Sequence, residues 1–258
     1  MENRLHTLFK NKKKPLLSVF YTAGFPTLND TGRIAASLEK AGADLVEIGI
    51  PFSDPVADGP TIQQSNKVAL DNGISLAIIL KQVKEIRKSV NLPIILMGYL
   101  NPVMQYGIEK FANDAAAAGV DGVILPDMPV PEYEREYRKV FEDAGLLLTF
   151  LISPTTSDDR IKKIDGLSKG FIYAVSASAT TGAKSGFASE QIQYFDRLKK
   201  MKLKSPFLIG FGISNKETFF QASEYSAGAI VGSAFVNMLK DSKDIEKDVD
   251  VFVKNLVS

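Results

Sequence analysis

Glu47 lies within the apolar run Leu45-Val-Glu-Ile-Gly-Ile50, and Asp54 and Asp58 follow in the stiff loop Pro51-Phe-Ser-Asp-Pro-Val-Ala-Asp-Gly-Pro60. Strand alternation puts Leu45, Glu47 and Gly49 on one face and Val46, Ile48 and Ile50 on the other. The β-branched face suits packing under helices, so Glu47 points the opposite way, toward a site with little water. Desolvation there raises a carboxyl pKa into the range useful for general acid or base work. The competing use of such a residue is pairing with a buried cation or hydroxyl. Asp54 before Pro55 reads first as a turn former. Asp58 ahead of Gly59-Pro60 is placed to cap a helix over Thr61 to Asp71.

A second signal lies in the last third of the chain, in Leu208-Ile-Gly-Phe-Gly-Ile213 and Gly228-Ala-Ile-Val-Gly-Ser233. Glycines let a backbone approach an anion closely, and Ser233 would open a short helix whose N–H groups point outward. Together the two loops predict a phosphate site. Ser18, Phe20 and Thr22 share one face of an early strand and Phe171, Tyr173 and Val175 one face of a later one. Phe20 and Tyr173 would supply an aromatic slot, although such residues more often pack in cores.

The elements that must position these groups alternate along the chain. Short β-rich runs fall near 17–23, 44–50, 93–98, 121–126, 146–152, 170–175, 206–210 and 228–231. Amphipathic stretches lie between them, as over Gly32 to Lys40, Leu76 to Val90, Glu109 to Ala118, Glu132 to Ala144, Ser189 to Met201 and Asn215 to Tyr225. Gly42, Gly119 and Gly145 are placed as helix C-terminal caps. Eight βα units predict an α/β fold: a single (β/α)8 TIM barrel spanning residues 1–258, with an N-terminal helix and an extra short helix after the eighth strand. An open doubly wound sheet would call for a G-x-G-x-x-G turn after the first strand, and Thr22-Ala-Gly-Phe-Pro26 lacks that spacing. In barrels, chemistry sits at the C-terminal ends of strands and phosphate often binds after strands seven and eight. That regularity ties Glu47 to the glycine loops.

Composition excludes other classes. The 31 Lys and Arg balance 30 acids, so the overall field gives no reason to expect nucleic acid or an anionic membrane. Lys10, Lys12, Lys13 and Lys14 form a small basic run read as a solvated helix end or loop. The chain has no cysteine, which removes thiol nucleophiles and thiolate metal sites and fits a cytoplasmic location. His6 is the sole histidine, so histidine metal sites and a Ser-His-Asp triad lack parts, and His6 itself reads as structural or solvated. No metal is expected. No apolar window reaches the roughly 18 residues of a membrane span. Composition and spacing stop at a barrel enzyme for a phosphate ester that uses a carboxyl acid or base.

Taken together, "LVEIGIPFSDPVADGPTIQ", "MGYLNP", "LPDMPVPE", "TTG", "GFGIS" and "IVGSAFV" closely resemble the α subunit family of tryptophan synthase. The likeness runs from the first strand to the eighth. It implies a TIM barrel that cleaves indole-3-glycerol phosphate to indole and glyceraldehyde 3-phosphate. Glu47 falls on the family's catalytic glutamate, a proton shuttle, and Asp58 on its catalytic aspartate, which accepts the indole N–H. Phe20, Tyr173 and Phe211 match substrate-pocket positions, and Gly182, Gly212, Gly232 and Ser233 match phosphate contacts. Ser176 to Ala188 corresponds to a loop that closes over substrate, with Thr181 touching the second-strand loop near Asp58. The resemblance further implies an α2β2 assembly with a β subunit, reached through loops around Pro55, Asn101 to Tyr106 and Pro129 to Glu132. Pyridoxal phosphate would belong to that partner, with no cofactor in this chain.

Two positions depart from the commonest family pattern: Ala179 in "SASATTG" stands where glycine is usual, and Phe25 in "TAGFP" where aspartate is frequent. Three other readings compete. A stand-alone lyase would release indole freely, and a silent subunit would only activate β, although it would have no need of both acids. A phosphosugar isomerase or epimerase is the third; metal-dependent epimerases need histidines that this chain lacks.

Overall fold

A computed structural model describes residues 3–176 and 186–257. Eight parallel strands close into a barrel in chain order: β1 (Leu16–Thr22), β2 (Leu45–Gly49), β3 (Ile94–Met97), β4 (Gly122–Ile124), β5 (Leu147–Ile152), β6 (Ile172–Val175), β7 (Phe207–Gly210) and β8 (Gly228–Val231), with β8 paired back to β1. The alternation expected of β2 holds. Leu45 joins the small apolar cluster inside the barrel, while Val46, Ile48 and Ile50 join the large cluster between strands and helices. Glu47 shares the face of Leu45 and is therefore interior.

Closure depends on one very close approach. A Cβ on Gly228 would lie 2.0 Å from the Leu16 carbonyl oxygen, so only glycine lets β8 meet β1 there. The helix Arg4–Lys10 closes the lower end, with Leu5 fully buried in the interior cluster. His6 Nε2 lies 2.7 Å from the Lys169 carbonyl, which suits the structural role expected for it. Gly42 and Gly119 adopt left-handed C-cap conformations, at φ 98° and 92°. Gly145 follows the cap residue Ala144 with φ 75°.

Several local expectations need correction. The residue capping the helix Pro60–Asp71 is Gly59, with no side-chain bond, so Asp58 is not consumed as a cap. The helix from Leu76 ends at Ile86 rather than Val90. The cap residue Arg87 there turns its guanidinium onto the carbonyls of Gly119, Val90 and Leu92 and onto Asp121, which competes with helix continuation. Glu132 to Ala144 is not one regular helix: a π turn over Tyr133–Tyr137 separates Val130–Glu132 from Arg138–Asp143. Asn101 to Tyr106 is not a loop but lies in the helix Leu100–Tyr106. Phe25 is buried in the outer core, where an apolar ring needs no polar partner. Thr181, Gly182 and Ala179 fall outside the described residues.

Candidate active site

A cavity of about 410 Å³ opens among the loops that follow the strands' C-terminal ends. Phe20, Asp58, Tyr173, Phe211, Gly212, Gly232 and Ser233 line it, so seven of the expected site residues converge. Phe20 comes from β1 and Tyr173 from β6. Two glycines make space for their rings. A Cβ on Gly49 would lie 2.6 Å from Phe20 Cζ, and one on Gly210 would lie 2.3 Å from the Tyr173 hydroxyl. The Tyr173 and Phe211 rings meet edge to face at 6.2 Å, forming an apolar wall suited to a planar aromatic ligand.

Glu47 is on the same interior but has no exposed surface, and it does not line the cavity. Its Oε1 accepts a hydrogen bond from Ser18 Oγ at 2.6 Å, and Oε2 is buried with no partner among the described residues. Burial pushes the carboxyl up to about 7 against the opposing effect of the Ser18 bond. Such a group holds and releases a proton near neutrality. The Tyr173 hydroxyl is held well above its ordinary range by burial and then by the negative charges of Glu47 and Asp58, so it stays neutral.

Asp58 is half-buried at the cavity edge. Burial raises its pKa, while the polar side chains of Tyr99 and Asn66 oppose that rise by favouring the charged form. Tyr99 also accepts the Ala57 N–H at 3.0 Å and so holds the segment leading into Asp58. Neither residue was picked out as a site residue by spacing, although Tyr99 sits within "MGYLNP". Ser18 was visible only as an interior neighbour of Phe20.

The loops after β7 and β8, where an anion site is expected, contribute glycines to the cavity. Phe211 has φ 68° and Gly212 φ 79°. A left-handed phenylalanine costs on the order of 1–3 kcal/mol and persists only where its surroundings hold it. Here Ser176 Oγ donates to the Phe211 carbonyl at 2.6 Å, and Gln191 Nε2 donates to the Ser176 carbonyl at 3.1 Å. Gly232 caps the helix Ser233–Asp241, whose first five residues contribute Ser233, Ala234 and Asn237 to the lining. The first N–H groups of a helix lack intrahelical acceptors and sit at its positive end, which favours a phosphate. Among the described residues, no cluster of three or more His, Asp or Glu groups could hold a metal ion.

Comparison with known proteins gives the same direction. A family model described as tryptophan synthase alpha chain matches residues 6–257. The tryptophan synthase alpha chain of Flavobacterium johnsoniae is 52% identical over 240 residues, which cover 93% of this chain and 94% of that protein. The crystal structure of tryptophan synthase subunit alpha from Legionella pneumophila str. Paris superposes with a TM-score of 0.88 at 36% identity, covering 99% of this chain and 97% of that one. A chain of the tryptophan synthase complex from Pyrococcus furiosus gives a TM-score of 0.86 at 33% identity, covering 93% and 97%. A barrel of this closure, a site of this composition and likeness over nearly the full length lead to one conclusion: the chain belongs to the tryptophan synthase alpha chain family.

Proposed function

We propose that Glu47 and Asp58 carry the lyase chemistry of this family in the present chain, the cleavage of indole-3-glycerol phosphate to indole and glyceraldehyde 3-phosphate. The observation that supports this most is a buried carboxyl poised near neutrality beside an aromatic cavity with a helix N-terminus at its far end. The phosphate would sit against Gly212, Gly232 and Ser233, and the indole between Phe20, Tyr173 and Phe211. Gly182 and Thr181 are carried over from the family resemblance alone.

The reaction protonates indole C3 and removes the proton of the hydroxyl on the glycerol carbon bonded to the ring. Electrons of that O–H bond form the aldehyde carbonyl, and those of the breaking carbon-carbon bond return to the ring, which leaves as indole. Glu47 would deliver one proton and receive the other, so no net proton is consumed. Asp58 would accept the indole N–H and stabilise the positive charge that develops on the ring. Substrate binding must open a path to Glu47, through a shift of the aromatic wall or of the carboxyl itself.

The Pyrococcus furiosus structure is described as a complex, and family membership supports a β-subunit partner here too. Contacts are proposed around Pro55, Asn101 and Pro129. Val56, 88% exposed, and Met104, 52% exposed, present apolar surface in two of these segments. Pyridoxal phosphate would reside in that partner. A cytoplasmic location is part of the proposal; among the described residues no helix is long and apolar enough to cross a membrane. One domain over the whole chain completes the proposal.

The test is production of glyceraldehyde 3-phosphate by wild type, Glu47→Ala and Asp58→Ala, each with and without a β subunit. Wild-type activity should rise with β, and either substitution should lower kcat by on the order of 10² to 10⁴. Activity that survives both substitutions would refute the assignment, and cleavage unchanged by β would favour a stand-alone lyase.

A further inference from the structure

We propose that Ser18 is a positioning residue for this reaction: its hydroxyl holds Glu47 through Oε1, so that the proton Glu47 exchanges is carried on Oε2. The inference rests on the catalytic assignment of Glu47 made above. Ser18 lies on β1, in register with Leu45 of β2, two residues before Glu47. Both side chains have no exposed surface, and the Oγ to Oε1 distance is 2.6 Å. A fully buried hydroxyl on a fully buried carboxyl, with no water-exposed competitor, is a fixed contact rather than a passing one.

The two carboxyl oxygens therefore differ. Oε1 accepts from Ser18, while Oε2 is buried and has no partner among the described residues. A buried acceptor left unpaired is costly, and a proton placed on Oε2 relieves that cost without disturbing the Ser18 bond. Ser18 can then donate to Oε1 in both protonation states, and proton exchange needs no rearrangement of its anchor. The ionisable group whose titration Glu47 influences is the neutral Tyr173 hydroxyl, which supplies no compensating cation. Ser18 is thus the specific contact that favours the charged carboxylate against burial. Phe20, the cavity residue of the same β1 face, pairs in register with Glu47 itself, so one strand sets both the wall and the anchor.

The test compares full-length wild type with Ser18→Ala and with Ser18→Cys, which keeps the volume but donates weakly. The infrared carbonyl band of protonated Glu47, assigned by its loss in Glu47→Gln, is titrated, and kcat and KM are measured with a β subunit present. We expect a wild-type midpoint near the value of about 7. Both Ser18 variants should move it upward and lower kcat at neutral pH roughly tenfold, the size expected when one hydrogen bond to a charged group is lost, with KM little changed. A midpoint that stays in place, or a wild-type kcat despite a moved midpoint, would overturn the positioning role. An inactive Glu47→Gln alongside wild-type behaviour of both Ser18 variants would sink the Ser18 role and leave the catalytic assignment standing. A fully active Glu47→Gln would sink both.

Discussion

Glu47 buried without a cation has a consequence for stability as well as for the proposed proton transfer. In the unfolded chain its carboxyl titrates at the ordinary 4.5, and in the fold at about 7. Between those values the folded state holds a proton that the unfolded state has lost, so stability falls as pH rises through that window. Above it the full cost, about 3 kcal/mol, is present. Glu47→Gln should therefore unfold at higher urea than wild type at pH 8, and this advantage should shrink as pH falls toward 4.5. An advantage of equal size at both ends would mean that burial does not perturb this carboxyl. The sequence showed that Glu47 shares the interior face with Leu45; it did not show the Ser18 bond, because register between strands comes only from the closed sheet.

Two glycines show what an element contributes. Gly49 ends β2, and its missing side chain is the space that the Phe20 ring occupies. In Gly49→Ala the new methyl would meet Phe20 Cζ at 2.6 Å and force the ring toward the cavity. We expect a loss of roughly 1–3 kcal/mol of stability from overpacking, and a raised KM from the altered wall. Denaturant unfolding together with steady-state kinetics would check both, and an unchanged KM would show that the ring has other room. The glycines of the β7 and β8 loops were legible as backbone turns. That Gly210 accommodates Tyr173 was not, since a one-dimensional pattern cannot show which side chain crosses a neighbouring strand. Local pattern alone also allows Asp58 the role of helix cap, for a related reason. Asp before Gly-Pro fits a helix start, yet the helix begins one residue later and leaves the carboxylate facing the cavity.

At the scale of the molecule, the two ends of the barrel separate chemistry from stability. Asp121, nearly fully buried just before β4, accepts the Ile94 N–H at 2.8 Å and pairs with Arg4 and Arg87. Burial lowers the Arg87 pKa to about 10, partly countered by Asp121, so this guanidinium depends on its partner. Asp121→Ala should cost about 3–5 kcal/mol, because it strands a largely buried cation. In conditions where the variant remains folded, kcat should match wild type, since this end lies opposite the cavity. Urea melts and kcat measured on one preparation would decide, and a selective fall in kcat would show coupling between the ends.

The sequence by itself determined the class of fold, the interior face of Glu47, the glycine loops that line the cavity and the family resemblance, because hydrophobic periodicity and motif spacing are local properties. Strand β1 brought Phe20 to the cavity with the face expected of it. Only the tertiary structure decided that Glu47 is sealed from that cavity, that Ser18 is its partner, and that Tyr99 and Asn66 attend Asp58. Those facts depend on strand register, on helix starts exact to one residue and on which side chains exclude water. They arise when distant segments meet, and spacing along the chain does not encode them.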